Sequence, residues 1–191
     1  MPLFLKILIK FVNMNYIKTN IDGPVIIEPT VFGDERGYFF ESFRQGDFEA
    51  NVAPVAFVQD NESWSQRRGV LRGLHFQKGD AAQAKLVRVV KGCVQDVAVD
   101  IREGSPTFGR YVSVILDGAS HRMLYIPRGF AHGYAVLEDD TVFQYKCDNY
   151  YNHPAEGSYR WNDPFFGIEW MLGPDEVILS AKDSAAPFYK A

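Results

Sequence analysis

The spacing of glycine and proline is the feature that most constrains the fold. These residues interrupt the chain about every 8 to 12 positions, and the runs between them are rich in Val, Ile, Phe and Tyr. Short runs of this kind are typical of an all-β sandwich or barrel. No long amphipathic helical pattern competes with them, which disfavours a doubly wound α/β fold. One short helix is predicted over residues 47–51, with Asp47 as its N-cap.

The runs between these interruptions predict a succession of short strands. Residues 94–101 alternate most clearly, so Val97 and Val99 should face one side of their strand and Asp96 and Ala98 the other. The predicted strands are residues 25–27, 37–43, 55–60, 69–76, 85–90, 94–101, 111–116, 123–126, 133–137 and 141–148.

Length and charge narrow the function classes. A chain of 191 residues fits one domain and is long enough to bury its own core. Its formal net charge of −4 argues against a general nucleic-acid binder, although a few local cations could still hold a small anion. The hydrophobic fraction of 47% argues against disorder, and the aromatic fraction of 15% favours β structure.

The two cysteines predict neither a disulfide framework nor a zinc site. Cys93 and Cys147 form no CxxC pair and no Cys/His cluster with zinc spacing. Each lies in an apolar alternating run, which predicts a reduced, buried thiol. Reduced thiols favour a cytoplasmic location.

The first thirteen residues differ from the rest. The sequence MPLFLKILIKFVN is apolar apart from Lys6 and Lys10, yet its apolar stretch is shorter than the roughly 20 residues that span a bilayer, and it lacks a signal-peptide cleavage site. A surface helix, a translated upstream stretch and a membrane-touching anchor all remain open. Because Met14 offers a plausible second start, we predict a peripheral extension over residues 1–13 and a single domain over residues 14–191.

Two histidine-containing segments resemble the two halves of the cupin pattern. They are GVLRGLHFQ at residues 69–77 and IPRGFAHG at residues 126–133, whereas GxGxxG, GxxxxGK[ST], GxSxG and HExxH are absent. Gln77 replaces the second histidine of the first half, and the expected glutamate after it is missing. Two remaining histidines are too few good donors for a metal site. The resemblance therefore implies a β jelly roll (a double-stranded β-helix) with a few short helices and without a metal.

A larger set of segments resembles the dTDP-4-dehydrorhamnose 3,5-epimerase family. They occur in one order from about residue 14 to residue 187, and eight ordered motifs are far more specific than any one of them. The segments are VFGDERGYFFES (31–42), FVQDNES (57–63), VLRGLHFQ (70–77), AKLV (84–87), DVAVDIR (96–102), SPTFG (105–109), PRGFAHG (127–133) and LSAKDSAAP (179–187).

The resemblance implies a reaction at two carbons beside a ketone. The family inverts C3 and C5 of dTDP-4-dehydro-6-deoxy-D-glucose, which gives dTDP-4-dehydro-L-rhamnose for cell-surface polysaccharide. No cofactor is expected, because the substrate already carries the ketone. Such chemistry needs a base near neutral pKa, a proton donor on the opposite face and cations around the developing oxyanion.

Three catalytic residues follow from the resemblance. His75 corresponds to the base, and imidazole suits this role because its unperturbed pKa is about 6.5. Asp183 corresponds to the carboxylate that orients the base; without the resemblance it would be taken for a surface residue. Tyr145 corresponds to the phenol that protonates the other face, although a core aromatic is the competing interpretation.

Three further residues could supply charge near the reacting sugar. Arg72 and Lys85 are the cations expected near the keto oxygen or the diphosphate; solvated surface charges are the alternative. Arg72 and His75 are three residues apart and would face opposite sides of a regular strand, but Gly73 between them permits a bulge. For His132, electrostatic support and a structural hydrogen bond are equally open.

The nucleotide end of the substrate is expected to meet a polar set of residues. Gln and Asn can pair with a pyrimidine edge, and Arg can hold diphosphate with two hydrogen bonds. Family members form homodimers that exchange N-terminal strands, so Arg36 and Glu41 could come from the partner subunit. The set consists of Arg36, Glu41, Gln59, Asn61, Ser63 for the sugar, and Tyr151 as a ring over the nucleotide.

Two other functions remain open at this point. One is a sister enzyme that inverts a single carbon of a dTDP-4-ketosugar, against which Tyr145 argues. The other is a non-catalytic cupin that only binds a sugar nucleotide, which would have no use for a His–Asp pair beside a phenol. No nucleic-acid or membrane partner is expected.

Overall fold

The computed structural model describes residues 14–190, and within that range the chain is built mainly of β-strands. The predicted extension, residues 1–13, lies outside the described residues. The strands are β1 (Asn15–Lys18), β2 (Val25–Glu28), β3 (Phe32–Asp34), β4 (Gly37–Phe39), β5 (Gln59–Ser65), β6 (Leu71–Gln77), β7 (Lys85–Lys91), β8 (Cys93–Asp100), β9 (Tyr111–Asp117), β10 (Met123–Ile126), β11 (Phe130–Val136), β12 (Thr141–Cys147) and β13 (Glu156–Ser158), and the helices are α1 (Gln45–Asn51) and α2 (Ala181–Ser184).

Two antiparallel sheets form the body of the protein. One has the strand order β1-β2-β10-β7-β12-β5 and the other β13-β6-β11-β8-β9, while β3 and β4 form a separate hairpin. The many non-consecutive neighbours are the crossovers of a jelly roll, so the predicted all-β class is confirmed. No helix within residues 14–190 has the length and apolar character needed to cross a membrane.

The main core lies between the two sheets. Val87 and Val89 of β7 meet Ala98 of β8 and Phe143 of β12, and all four are almost completely buried. Burying an apolar side chain of Val or Phe size contributes roughly 1.5–3 kcal/mol. These inward-facing positions fix which residues of each strand point toward the interior, and therefore which can reach a cavity at its edge.

Strand β8 follows the predicted alternation, but both of its faces are buried. Ala98 faces the core between the sheets, whereas Val97 and Val99 pack with Phe166 on the outer face of the second sheet. The C-terminal part of the chain covers that face. Asp96 is on the inner side of β8, between the two sheets, and is also wholly buried.

The predicted start of the helix is wrong. Helix α1 begins at Gln45, and its N-cap is Arg44 in an extended conformation with no side-chain capping bond. Asp47 lies in the first turn instead, where its negative charge interacts favourably with the positive end of the helix dipole. Its carboxylate lies 3.7 Å from the Arg44 Nε.

Two predicted strands are displaced for reasons of pairing. Strand β4 ends at Phe39 rather than at residue 43. Strand β5 runs over Gln59–Ser65 because its whole length pairs with β12, whereas the apolar residues Val55 and Phe57 before it pack under α1. The short elements β1, β3, β13 and α2 were not predicted, since they lack an alternating apolar run.

Candidate active site

A cavity of about 260 Å³ opens between β5, β6, β7 and β12. Most of its wall is polar, and it gathers residues that lie as much as 97 positions apart in the sequence. Its lining residues are Gln59, Asn61, His75, Phe76, Gln77, Gln83, Lys85, Tyr145, Tyr151 and Glu156.

A bulge at Gly73 sets the direction of the side chains on β6. His75 lies opposite His132 on β11, but Arg72 lies opposite Tyr134, so three steps on β6 match two on β11. The φ of Gly73 is +129°, a value that L side chains rarely adopt. The predicted bulge is confirmed, and it brings positions 72 and 75 toward the same side of the strand.

His75 and Asp183 form a hydrogen-bonded pair. The His75 Nε2 lies 2.6 Å from the Asp183 Oδ1, and their side chains are 29% and 4% exposed. When Nε2–H donates to the carboxylate, the lone pair of the ring remains on Nδ1. The carboxylate therefore selects the tautomer and leaves one nitrogen free to accept a proton.

The short helix α2 holds the carboxylate in place. The Ser180 hydroxyl donates to Asp183 Oδ2 at 2.7 Å and accepts from the Asp183 N–H at 3.0 Å, which caps the helix. The Gly73 N–H donates to Oδ1 at 3.4 Å. Burial alone would raise the pKa of Asp183, but the hydrogen bonds from His75, Ser180 and Gly73 outweigh it and lower that pKa below its usual value. Asp183 is thus a carboxylate at neutral pH.

Tyr145 points inward from β12. It packs against the core beside Phe143, and its ring lies 5.8 Å from the Nζ of Lys85. Burial is the largest of the influences that raise the pKa of Tyr145 to about 12. The phenol is therefore protonated at neutral pH and can act as a donor.

Two cations at this site have no carboxylate partner. Among the ion pairs of residues 14–190, none involves Lys85 or Arg72. Lys85 is half-buried at the cavity wall, and burial lowers its pKa while the charges of Asp96 and Glu156, together with Cys147, oppose that change. Arg72 is exposed at the bulge and is not among the residues that line the cavity. Both are free to bind an oxyanion.

A second His–Asp pair lies behind the first. The His132 Nε2 lies 2.9 Å from the Asp96 Oδ2, and both side chains are buried. Burial lowers the pKa of His132, and the charges of Lys85 and His75 act in the same direction, so the imidazole is neutral. The other carboxylate oxygen, Asp96 Oδ1, has no hydrogen-bond partner in the described part of the chain.

A chain of amide groups follows β5 along the cavity. The Tyr151 N–H donates to Gln59 Oε1 at 3.1 Å, and Gln59 Nε2 donates to Asn61 Oδ1 at 3.0 Å. Asn61 Nδ2 lies 3.7 Å from the Cys147 Sγ. Burial raises the pKa of Cys147 to about 11, so this free thiol is neutral and serves as a weak acceptor rather than as a nucleophile. Cys93 is also free but only half-buried.

Sequence comparison assigns the chain to a family. Residues 18–191 match the family model described as dTDP-4-dehydrorhamnose 3,5-epimerase. The protein belongs to this epimerase family. The enzyme of that name from Salmonella typhimurium is 55% identical over 177 residues, which cover 91% of this chain and 94% of the relative.

Solved structures of the epimerase family have the same fold. The enzyme from Elizabethkingia anophelis superposes with a TM-score of 0.87 at 50% identity and covers 92% of this chain and 96% of its own. The enzyme from Legionella pneumophila, solved in complex with dTDP-4-keto-L-rhamnose, has a TM-score of 0.87 at 49% identity and covers 94% of this chain and 100% of its own.

Two predicted site residues lie away from the cavity of this epimerase. Arg36 is on the exposed β3–β4 hairpin and pairs with Asp34 at 2.5 Å, while Glu41 accepts from Arg44 at 2.6 Å. A third, Ser63, is on β5 next to the cavity wall, where its hydroxyl bonds to the Tyr134 hydroxyl at 2.8 Å. The cavity therefore brings together Gln59, Asn61 and Tyr151 but not Arg36, Glu41 or Ser63.

Several residues of the epimerase site were not predicted. Glu156 lines the cavity and forms an ion pair with Lys182, and Tyr151 donates to it at 3.3 Å. Tyr134 and Asp96 lie behind the wall. The alternating pattern of their strands predicts that both side chains are buried, but it does not indicate a role in the site. Within residues 14–190, no group of three His, Cys, Asp or Glu side chains is arranged to hold a metal ion.

Proposed function

We propose that this protein epimerises dTDP-4-dehydro-6-deoxy-D-glucose at C3 and C5 to dTDP-4-dehydro-L-rhamnose, as an isomerase of dTDP-L-rhamnose biosynthesis. One observation carries the proposal: His75, which is hydrogen-bonded to Asp183, and Tyr145 line the same cavity. The family membership and the ketosugar bound to the Legionella relative support it.

His75 is the base. Its Nε2 is held by Asp183, so Nδ1 takes the proton from the carbon beside the ketone. The charge of the carboxylate stabilises the imidazolium that forms. Because the side chain is 29% exposed, it can release that proton to solvent and act again at the second carbon.

Lys85 and Arg72 stabilise the enolate and the diphosphate. Removing the proton places negative charge on the keto oxygen, and a preorganised cation lowers the energy of that charge. Lys85 lies at the wall beside Tyr145, which suits the keto oxygen, whereas the exposed Arg72 suits the more distant phosphates. Neutral His132 supports this polar region through its bond to Asp96.

Tyr145 is the acid. Its burial keeps the phenol protonated, and a donor with a pKa of about 12 gives its proton only to a strong base such as an enolate carbon. Base and acid that approach from opposite faces of the sugar invert the carbon. Gln59 and Asn61 hold the pyrimidine edge, with Tyr151 over the nucleotide and Ser63 near the sugar.

The site is completed by a second subunit. Arg36 and Glu41 lie away from the cavity of their own chain, and within residues 14–190 the buried Glu41 Oε1 has no hydrogen-bond partner. Tyr38 and Phe39 of the same segment are each 60% exposed. We therefore assign a homodimer in which the N-terminal segment of one subunit reaches the cavity of the other.

Mixing two inactive chains tests the dimer. His75→Asn lacks the base and Arg36→Ala lacks the exchanged cation. In mixed dimers one site would contain a functional copy of both residues, so refolding the two together should restore activity to about a quarter of all sites. No recovery, or a monomeric mass in sedimentation velocity, would contradict the exchange.

NMR of the dTDP-ketosugar in D₂O tests the reaction itself. Deuterium should enter at both C3 and C5, and the product should have the L-rhamno configuration. Inversion at one carbon only would identify the single-carbon epimerase instead. Binding without exchange would identify a non-catalytic sugar-nucleotide cupin.

A further inference from the structure

The loop that carries Tyr151 lies at the cavity outside any strand or helix. Residues 148–152 connect β12, which ends at Cys147, to the 3₁₀ helix His153–Ala155. Their backbone N–H and carbonyl groups therefore need partners elsewhere. Tyr151 itself is 50% exposed, so packing alone holds its ring weakly. The position of this ring depends on what holds the backbone of the loop.

Two glutamines from different sheets hold consecutive residues of the loop. The Tyr151 N–H donates to Gln59 Oε1 at 3.1 Å, and the Asn152 N–H donates to Gln77 Oε1 at 3.0 Å. Gln59 belongs to β5 in one sheet and Gln77 to β6 in the other, and both line the cavity. The loop is therefore tied to two walls of the cavity at once.

A third glutamine holds the start of the loop. Gln83 Nε2 donates to the Asn149 carbonyl at 2.7 Å, and Asn149 Nδ2 donates in return to the Asp80 carbonyl at 2.9 Å. The Asn149 Oδ1 also accepts from the Tyr150 N–H at 2.9 Å. Each residue from 149 to 152 thus takes part in at least one of these hydrogen bonds.

Two of the three glutamines have no part in the proposed mechanism. Gln77 stands where the cupin pattern has its second histidine, and Gln83 lies in the segment that lacks the glutamate of that pattern. Both line the cavity, yet Gln77 gives its acceptor oxygen and Gln83 its donor nitrogen to the backbone of the loop. These side chains therefore serve the loop rather than a metal.

We propose that Gln77 and Gln83 are positioning residues that hold Tyr151 in place over the nucleotide. This inference rests on the proposed function, in which Tyr151 is the ring that covers the nucleotide. A ring that is already held in place loses little conformational freedom when the ligand binds, so more of its contact energy is available as affinity. Both glutamines act through Tyr151, and neither is a catalytic residue.

The first test is Gln77→Met, which keeps the length of the side chain and removes the acceptor of the Asn152 N–H. The Kd for dTDP, measured by calorimetry, should rise by about three- to tenfold, the effect of one lost hydrogen bond. Gln83→Met should act in the same direction. The KM for the ketosugar should rise by a similar factor while kcat is nearly unchanged, because the ring contributes equally to binding of the substrate and of the transition state.

Limited proteolysis reports on the loop without any ligand. Chymotrypsin cleaves after tyrosine, and Tyr150 and Tyr151 are 67% and 50% exposed. A loop that has lost one of its hydrogen bonds opens more often, so cleavage after these two residues should be faster in Gln77→Met and Gln83→Met than in the parent.

A double variant shows whether the glutamines act through the ring. In a Tyr151→Ala background, Gln77→Met should cause no further loss of dTDP affinity. A direct contact between Gln77 and the nucleotide would instead cause the same loss in both backgrounds.

Gln95→Met is the matched control. Gln95 holds a different segment by the same kind of bonds, since it donates to the Glu169 carbonyl at 2.9 Å and accepts from the Met171 N–H at 2.7 Å, and it does not line the cavity. Its dTDP affinity per folded molecule and its rate of cleavage after Tyr150 and Tyr151 should match the parent.

The results separate this proposal from the proposed function. If the parent does not bind dTDP or forms no L-rhamno product, the proposed function fails. If the parent does both and Gln77→Met binds dTDP equally well, the positioning role is wrong. Weaker binding that persists in the Tyr151→Ala background, or that comes without faster cleavage of the loop, would also overturn it.

Discussion

The His75 Nε2 and the Asp183 Oδ1 lie 2.6 Å apart although 108 positions separate them in the sequence. The same carboxylate oxygen accepts from the Gly73 N–H at 3.4 Å. The bulge of β6 and the orientation of the base are therefore one structural unit. A change at Gly73 should therefore alter the orientation of His75 as well.

Removing either member of the pair should abolish proton abstraction. In His75→Asn, deuterium exchange at both carbons should fall by about 10²- to 10⁴-fold, because the base is lost while the size is nearly kept. Asp183→Asn should also be slow, since an amide no longer selects the reactive tautomer. Uptake from D₂O measured by NMR gives the rates. Asp163→Asn, at a buried carboxylate outside the cavity, should exchange normally per folded molecule; parent-like exchange in His75→Asn would eliminate that residue as the base.

A side chain at Gly73 should damage both stability and the site. An added Cβ would lie 2.5 Å from the Gly133 Cα, and the φ of +129° is unfavourable for any L residue. Gly73→Ala should lower the free energy of unfolding by more than about 2 kcal/mol in urea titrations, with loss of exchange in the molecules that remain folded. Gly46→Ala provides the comparison, because nothing lies within 4 Å of a Cβ at that position of α1. It should be neutral or stabilise by roughly 0.5 kcal/mol.

Local pattern was sufficient to predict much of the sheet structure. Strand β10 was predicted with its observed bounds, and the bulge followed from the three-residue spacing of Arg72 and His75 around a glycine. The displaced β5 shows the limit, since the apolar residues at its start led to a predicted strand over residues 55–60, whereas pairing with β12 selected the more polar residues Gln59–Ser65.

The residues of the site itself were predicted from motif resemblance. The buried residues behind them could not be predicted in this way. A buried Asp96 or Tyr134 looks like any other member of an alternating strand until its neighbours on other strands are known. Glu156 belongs to a strand of three residues without a local signature. Residues whose role depends on contacts between distant strands therefore need the fold before they can be recognised.

Protonation of His132 should destabilise the protein in acid. Burial lowers the pKa of this histidine in the folded state, with the charges of Lys85 and His75 adding to the effect and Asp96 opposing it. The unfolded chain then binds a proton more readily, so the stabilisation is complete above about pH 6.5 and is lost as the pH falls through the lower folded pKa. Urea midpoints measured from pH 8 to pH 5 should fall less steeply in His132→Gln than in the parent. His121, whose pKa burial also lowers, is unchanged in both and cancels from the difference. Identical slopes would mean that His132 has no depressed pKa.

Residues 1–13 should be dispensable for folding and turnover. The family match begins at residue 18, and the first described strand, β1, begins at Asn15. A chain that begins at Met14 should therefore have the melting temperature and the turnover of the full chain. Vesicle flotation of both forms would detect a membrane-touching anchor. A clear loss of stability or activity on trimming would instead make the extension part of the domain.

Tyr145→Phe should separate proton removal from proton return. The ring and its packing beside Phe143 remain, so the melting temperature should change little. His75 can still remove a proton, but the enolate must then be quenched by water or by His75 itself, on the face from which the proton left. Deuterium should therefore enter the substrate while doubly inverted product falls by about 10²-fold or more. The loss should be greatest at C5, where the phenol is expected to deliver its proton. Following both carbons by NMR in D₂O measures exchange and inversion in one sample, and the L-rhamno product at the parent rate would leave Tyr145 as a packing residue.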